Sequence, residues 1–367
     1  MRTRAAVLHE PGRPLVVQEI ELLEPLEGEV LVRIEAAGVC HSDLHWMLGH
    51  ASCPLPVVLG HEGCGTVVSV GAGVTSIAPD DRCVLILRPN CGRCDYCTVG
   101  RPMLCNGRTN PDGTLFDGTT RIRLLDGTVG YHYGRLSCFA EHAVIPEEQL
   151  LPIRRDIAAD RAALVGCAVI TGFGAVMNTA KVEVGSDVAV LGCGGIGLNV
   201  LQAARMVGAR RIIAVDLDDR HLGFARQFGA TDTINGRTDD PVARIRELTG
   251  GGVHYAFDAF GSPGTMEQAF AAVRAGGTAV QIGLAPEGAT GRISPFELAL
   301  EEKTLKGSFM GSSRPRVDMP RLLDLYRLGR LDLDGLVTRT YTLDEINEAY
   351  DDLQAGKLAR GVITFER

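Results

Sequence analysis

The stretch Asp187-Val-Ala-Val-Leu-Gly-Cys-Gly-Gly-Ile-Gly197 decides the fold. A short apolar run enters Gly192-x-Gly194-x-x-Gly197, after which Leu198, Leu201, Ala204, Arg205 and Val207 fall at helical spacing. Strand, glycine-rich turn and helix are the context in which a dinucleotide-binding fingerprint has physical meaning. Gly192 makes the tight turn, Gly194 lets the backbone approach a pyrophosphate, and Gly197 lets the helix pack closely on the strand. The phosphates then meet the positive end of the helix, where Gly195 and Ile196 stand. Glycine spacing alone is weak in a chain with 45 glycines. Asp216 strengthens it, because it ends a second apolar run about 20 residues beyond the turn, where a carboxylate accepts hydrogen bonds from a ribose hydroxyl. The rival reading is a glycine-rich turn with no ligand.

Around this stretch, apolar runs at 188–191, 212–215, 253–257 and 278–282 alternate with helical patterns at 220–228, 242–248 and 265–273. That alternation predicts βαβ units in an α/β doubly wound parallel sheet with helices on both faces. The first ninety residues read differently. Runs at 30–35, 65–70 and 82–87 are β-branched and bounded by Gly, Pro and Asp, and no 3.6-residue stripe persists, so no helix is expected there. A loop-rich segment follows from Arg88 to about 129. Near the C-terminus, helical patterns at 319–328 and 343–353 flank a strand-like run at 336–341.

A length of 367 residues favours two domains. Net charge is -8, from 37 basic and 45 acidic residues, which gives no reason to expect nucleic acid or a membrane surface as partner. No apolar run reaches the roughly 18 residues of a spanning helix. The N-terminal apolar stretch is too short for a signal peptide, so a cytoplasmic location is expected. Eleven cysteines in such a chain read as metal ligands or catalytic groups rather than disulfides.

Cys91, Cys94, Cys97 and Cys105 form C-x2-C-x2-C-x7-C. Four thiolates so close in sequence can close a tetrahedron round one Zn2+, leaving no open position, which makes a structural site. An iron-sulfur cluster fits less well, because the fourth gap is too long and no proline follows Cys105. A second group is dispersed: Cys40 with His41, Ser42, Asp43 and His45 after it, then His61-Glu62, then Cys167. Two sulfurs and one imidazole with a fourth position free are a catalytic-zinc ligand set. Taken singly, Cys167 reads equally as a small buried hydrophobe and His61 as a satisfied core histidine.

Together the residues resemble a zinc-dependent medium-chain alcohol dehydrogenase of the bacterial class I and class III kind. The resemblance rests on Gly38-Val-Cys-His-Ser-Asp-Leu-His45, Gly60-His-Glu-Gly63, the four-cysteine lobe, Gly166-Cys167 with Thr171-Gly172, the glycine turn and Asp216, in the family's order along the whole chain. It implies a GroES-like catalytic domain over 1–168 with a zinc lobe at about 88–106, a Rossmann NAD-binding domain over 169–308, and a return to the first domain over 309–367. It implies two zinc ions per chain, the catalytic one on Cys40, His61 and Cys167.

By the same resemblance Asp43 orients His61, Glu62 lies near the metal, Ser42 takes the alcohol proton, and His45 passes it on at a pKa suited to a shuttle. Asp216 is expected to select NAD over NADP, with Asp218 and Asp219 adding charge and Arg211 and Arg220 opposing it. Arg360, in Gly356-Lys-Leu-Ala-Arg-Gly361, matches an arginine that reaches the pyrophosphate. Thr171 is expected on the cofactor side. His41 stands where many relatives have arginine, which makes cofactor binding weaker and more pH-dependent. Leu87 and Trp46 are candidate walls of the substrate pocket, Trp46 equally a core residue. The segment from Gly113 to Ile122 is similar to a loop of class I and III members, so Arg121 or Arg123 could meet an acidic thiol carrier.

The leading expectation is NAD-dependent oxidation of alcohols to aldehydes or ketones, and the reverse. Alternatives are oxidation of a thiol adduct of formaldehyde, an enzyme whose bound NAD is recycled by an external acceptor, and a non-catalytic NAD-binding or redox-sensing protein. The run Thr304-Leu-Lys-Gly-Ser-Phe-Met310 is a plausible edge strand for a homo-oligomer, dimer or tetramer.

Overall fold

The computed structural model describes residues 1–50, 52–108 and 112–365. The chain divides into two compact units: Met1–Cys167 with Arg314–Leu328 and Leu333–Arg367, and Ala168–Ser313 with Gly329–Asp332.

In the first unit, strands Arg2–Leu8, Val16–Leu22, Ile122–Leu124, Val129–His132 and Val57–Val58 close a barrel. A larger sheet runs Leu150–Pro152, Arg82–Leu85, Gly63–Val70, Glu29–Gly38, Arg360–Thr364, Val337–Tyr341, with His142–Pro146 also pairing Glu29–Gly38. Glu29–Gly38 is buried along most of its length, and its neighbours are antiparallel on Gly63–Val70, His142–Pro146 and Arg360–Thr364. Strands such as these, rich in Val, Ile and Ala on two buried faces, bury a core of Val30, Val32, Ile34, Leu59, Leu85, Phe139 and Ile363. The return of the C-terminal strand into this sheet makes the last residues part of the first unit.

The second unit is a six-stranded parallel sheet in the order Asp232–Asn235, Arg211–Asp216, Asp187–Leu191, Val253–Asp258, Val273–Gln281, Thr304–Gly307. Asp187–Leu191 comes first in sequence and third in space, so successive strands are laid down to one side and then to the other. The strand order therefore reverses between Asp187–Leu191 and Val253–Asp258, and ligands of such sheets bind beyond the carboxyl ends of the strands at that switch. Gly192–Gly197 leaves the sheet there. Thr304–Gly307 is an edge strand.

Three expectations change. The β-rich N-terminal part contains a helix, His41–Met47, too short at 7 residues to show a periodic stripe. The run at 82–87 is a strand only over Arg82–Leu85. And the helix Ala159–Ala180, 22 residues, is apolar and long enough to cross a membrane by composition, contrary to the expectation; 83% of its apolar window is buried inside the protein, so it is a core helix.

In the glycine turn a Cβ on Gly197 would overlap the carbonyl oxygen of Gly192, whereas one on Gly194 would meet nothing within 4 Å. Gly197→Ala should therefore lower stability by about 1–3 kcal/mol, the range for forced overpacking. Gly194→Ala should stay within about 0.5 kcal/mol of the parent. Denaturant unfolding of both variants measures the difference; equal stabilities would overturn the packing role of Gly197.

Candidate functional site

Cys40 lies where Glu29–Gly38 gives way to the helix His41–Met47, whose first turn carries Asp43 into the interior. The neighbouring strand Gly63–Val70 is entered through Gly60, His61 and Glu62, and Gly60 takes φ +93°, a conformation that favours glycine. The buried Asp43 carboxylate ties the two segments together. Its Oδ1 accepts the Gly60 N–H at 3.0 Å and the His61 Nδ1 hydrogen at 3.1 Å. With Nδ1 so engaged, His61 turns Nε2 to the other side, where it is buried and has no hydrogen-bond partner.

Cys167 comes from the long helix, in a π-helical turn over Val165–Val169. π turns concentrate at functional sites because the extra residue redirects a side chain. Gly166 permits the close approach, since a Cβ there would lie 2.8 Å from the Leu85 carbonyl oxygen.

Ligand atoms of Cys40, His61, Glu62 and Cys167, all buried, lie within 4.8 Å of one another. The Cys167 hydrogen bond pushes the Cys40 thiol well below its ordinary range, while the same bond, together with burial, raises Cys167. Burial also pushes the Glu62 carboxyl up to about 7 against the pull of Arg360. Two thiols sharing a proton beside an orphaned imidazole nitrogen are a donor set suited to a zinc ion with an open position. The second cluster, Cys91, Cys94, Cys97 and Cys105, also gathers within 4.8 Å. There the Cys105 sulfur accepts from the Cys91 N–H and the Cys91 sulfur from the Cys94 N–H, each at 3.3 Å. All eleven cysteines are free of disulfides.

Two neighbours of the first cluster are invisible in sequence spacing. Tyr133 stands edge-on to His61 with ring centroids 5.6 Å apart, and edge-on to Trp46 at 5.3 Å. Nothing but the fold brings it there. Arg360 is 4% exposed and paired with Glu62, its Nε without a partner. Burial disfavours its charge, but Glu62, Cys40 and Cys167 more than offset this and hold the guanidinium protonated. Leu87 and Trp46 are partly buried against the core of the first unit, and Gln149 bonds the Leu87 and Gly134 carbonyls, which sets Leu87 beside Gly134. Ser42 is the second residue of its helix and half-buried, and His41, at the helix start, is exposed.

In the second unit, Gly192 takes φ +90° and the helix Gly195–Met206 starts from Gly194 with no side-chain cap, so its first N–H groups are available to an anion. Asp216 braces the turn: its Oδ2 accepts the Cys193 N–H at 2.7 Å and its Oδ1 the Asp218 N–H at 3.0 Å. His221 Nδ1 lies 3.2 Å from the same Oδ1. The two arginines expected to oppose Asp216 are already engaged, Arg220 with Asp218 at 2.6 Å and Arg211 with Asp232 at 3.2 Å. Thr171 is buried, its hydroxyl 3.7 Å from the Met310 sulfur.

Arg121 is a correction. It is not a loop cation open to a thiol carrier but 3% exposed, bonded to both Glu29 oxygens and to Asp117. Arg123 is half-buried, with its guanidinium near Thr120 and the Ile122 carbonyl. A polar, flexible-looking loop concealed a buried ion-pair network.

Comparison with known proteins agrees with this geometry. Residues 26–155 match the alcohol dehydrogenase GroES-like domain and residues 195–327 the zinc-binding dehydrogenase domain. The S-(hydroxymethyl)glutathione dehydrogenase of Paracoccus denitrificans is 42% identical over 100% of both chains. Among solved structures, an alcohol dehydrogenase zinc-binding domain protein from Burkholderia ambifaria aligns with a TM-score of 0.95 at 34% identity, and benzyl alcohol dehydrogenase from Acinetobacter calcoaceticus with 0.94 at 35%, each covering 100% of both chains.

Metal analysis of the purified protein should find two zinc ions per chain, and Cys167→Ser should leave one. Asp43→Ala, which strands the His61 Nδ1 hydrogen, should weaken the first site about 10–100-fold in a chelator competition while leaving the four-cysteine site unchanged. Retention of two tightly held ions in Cys167→Ser would remove Cys167 from the ligand set.

Proposed function

This chain belongs to the zinc-binding alcohol dehydrogenases, and from that premise we propose how its residues divide the work and which alcohols it takes. The activity is zinc-dependent oxidation of alcohols to aldehydes or ketones, and the reverse, with NAD as the hydride carrier. Cys40, His61 and Cys167 would hold the catalytic zinc, with Glu62 beside them, and the four-cysteine cluster the structural one. Once bound, the catalytic ion supplies a Lewis acid that lowers the pKa of an alcohol hydroxyl towards neutrality.

The observation that carries this assignment is the buried cluster of four donors with the His61 Nε2 orphaned. Asp43 keeps the imidazole in the tautomer that offers Nε2. Ser42 takes the hydroxyl proton and His45 carries it towards solvent. On the cofactor side, Gly192–Gly197 and the bare helix start take the pyrophosphate, Asp216 the ribose hydroxyls, and His41, Thr171 and Arg360 complete the binding set. Asp216 also discriminates against a 2′-phosphate, and the pairing of Arg211 and Arg220 elsewhere supports that role.

The substrate we infer is a primary alcohol with an apolar or aromatic group. Tyr133 beside His61, Trp46 edge-on to Tyr133, and Leu87 against the adjoining Gly134 make an apolar and aromatic surround. A second reading, a thiol adduct of formaldehyde with an acidic carrier, draws on Arg88 and Arg135, which follow Leu87 and Gly134 in the chain. Burial, then the Arg88 charge, pushes the Arg135 guanidinium below its ordinary value with only Asp112 pulling the other way, so an anion would be welcome there. The free edge of Thr304–Gly307 supports a homo-oligomer. Eleven reduced thiols, six of them in the two metal clusters, support a cytoplasmic location.

A panel of alcohols assayed with NAD and NADP, with and without added low-molecular-weight thiol, tests the substrate. Turnover of benzyl alcohol without thiol is expected; oxidation of formaldehyde only with thiol, and no turnover of free alcohols, would overturn it in favour of the second reading. The pH dependence of cofactor choice tests Asp216. Its hydrogen bond raises the His221 pKa. Below that pKa His221 is cationic and offsets the Asp216 charge; above it the offset is gone, so rejection of NADP strengthens as pH rises. The 2′-phosphate itself titrates at about pH 6, so the comparison runs from above that through the raised His221 titration. The NADP-to-NAD Kd ratio should grow about fivefold across it, the ~1 kcal/mol of an exposed charge pair, and His221→Gln should flatten the curve.

A further inference from the structure

The helix His41–Met47 ends in a way that carries a histidine back onto His45. Gly49 takes φ +75°. The Gly49 N–H donates to the Trp46 carbonyl at 3.0 Å and the His50 N–H to the His45 carbonyl at 2.8 Å. This is a Schellman ending, in which the residue after the left-handed glycine bonds back across the last turn and its side chain meets the one it has bonded to. Such pairs are usually apolar. Here both members are imidazoles, with Nδ1 atoms 3.2 Å apart and ring centroids at 5.5 Å.

Two nitrogens at that distance hold one hydrogen between them. If His45 Nδ1 carries it, His50 Nδ1 accepts, and each ring keeps its Nε2 for another partner. His45 is half-buried and His50 exposed, so the pair leads from the interior to water. We propose that His50 is the outer station of the proton relay, receiving at Nδ1 the hydrogen that leaves His45 Nδ1 and releasing its own Nε2 hydrogen to water. The inference rests on the reading of His45 as the carrier of the alcohol proton.

The transfers balance. A proton arrives at His45 Nε2, the His45 Nδ1–H bond breaks as a His50 Nδ1–H bond forms, and the His50 Nε2–H bond gives its proton to solvent. No net charge accumulates on either ring; both end in the opposite tautomer, and each returns by its own proton exchange with water between turnovers, the exposed His50 readily and the half-buried His45 more slowly. The groups bearing on His45 are consistent with this. Burial first, then His50, lowers its pKa, and only Cys40 acts in the opposite sense. A His45 that resists holding a full positive charge needs a neighbour to take the outgoing proton at once, which is the service His50 provides.

The test uses the zinc-loaded protein and His50→Gln, which keeps a hydrogen-bonding side chain but cannot pass a proton, with His45→Gln as reference. Proton release on mixing with NAD and benzyl alcohol, followed with an indicator dye in weak buffer, should slow more than tenfold in His45→Gln and about three- to tenfold in His50→Gln. Added imidazole should restore the His50 variant. Wild-type release in His45→Gln would overturn the His45 reading itself. A slow His45→Gln beside an unaffected His50→Gln, or a slow His50→Gln that imidazole does not restore, would overturn only the outer station. Nitrogen-15 titration of the histidines gives a readout apart from turnover. His45 should titrate in two coupled steps in the parent and in one step, at higher pH, in His50→Gln; an unchanged His45 curve overturns the pairing.

Discussion

The register of one strand holds the chemistry together. Ala37 of Glu29–Gly38 stands opposite Gly63 on one side and Ile363 on the other. The same ladder continues through two further bonds, Gly38 N–H to the Glu62 carbonyl at 2.8 Å and Val39 N–H to the Gly361 carbonyl at 3.0 Å. Cys40, Glu62 with His61, and Arg360 are therefore brought to one end of the sheet by backbone hydrogen bonds alone. A slip of one residue would turn each of these side chains to the opposite face. Gly38 is part of the constraint, because a Cβ there would overlap the Glu62 carboxylate.

On that frame the buried charges are matched in pairs. Asp43 serves His61, and Glu62 serves Arg360. Removing one member of a buried ion pair leaves an uncompensated charge at a cost of about 3–5 kcal/mol, while the pair itself adds little net stability. The Glu62–Arg360 pair is thus better understood as keeping an arginine protonated beside two thiols than as holding the fold. The helix bearing Cys167 supplies the remaining donor by a local irregularity, a π turn next to a glycine.

Much of this was legible beforehand, for reasons specific to each residue. The glycine turn could be read because each glycine answers a backbone demand that few other residues meet, and the four-cysteine lobe because all its ligands come from one short loop. The parallel sheet showed in the alternation of apolar runs and helical patterns. Cys167 could not be read from its neighbours, since a thiol among Ala163, Leu164 and Val165 looks like core; only resemblance named it. Tyr133 and the Glu62–Arg360 pair left no local sign, and Arg121 gave the wrong one, because loop composition says nothing about a partner such as Glu29 in a distant strand.

By itself the sequence determined the two kinds of unit, the glycine turn that opens a helix at a strand end and the donor types of the two cysteine-containing clusters, because these depend on backbone geometry and donor chemistry carried by short segments. Only the tertiary structure decided which residues gather about those ligands. Strand register brought Arg360 to Glu62, a left-handed glycine folded His50 onto His45, and the spent charges of Arg121, Arg211 and Arg220 became visible only with their partners. The physical reason is common to all: a side chain's charge and direction are set by what lies within a few ångströms, and neighbours at that range are chosen by the fold.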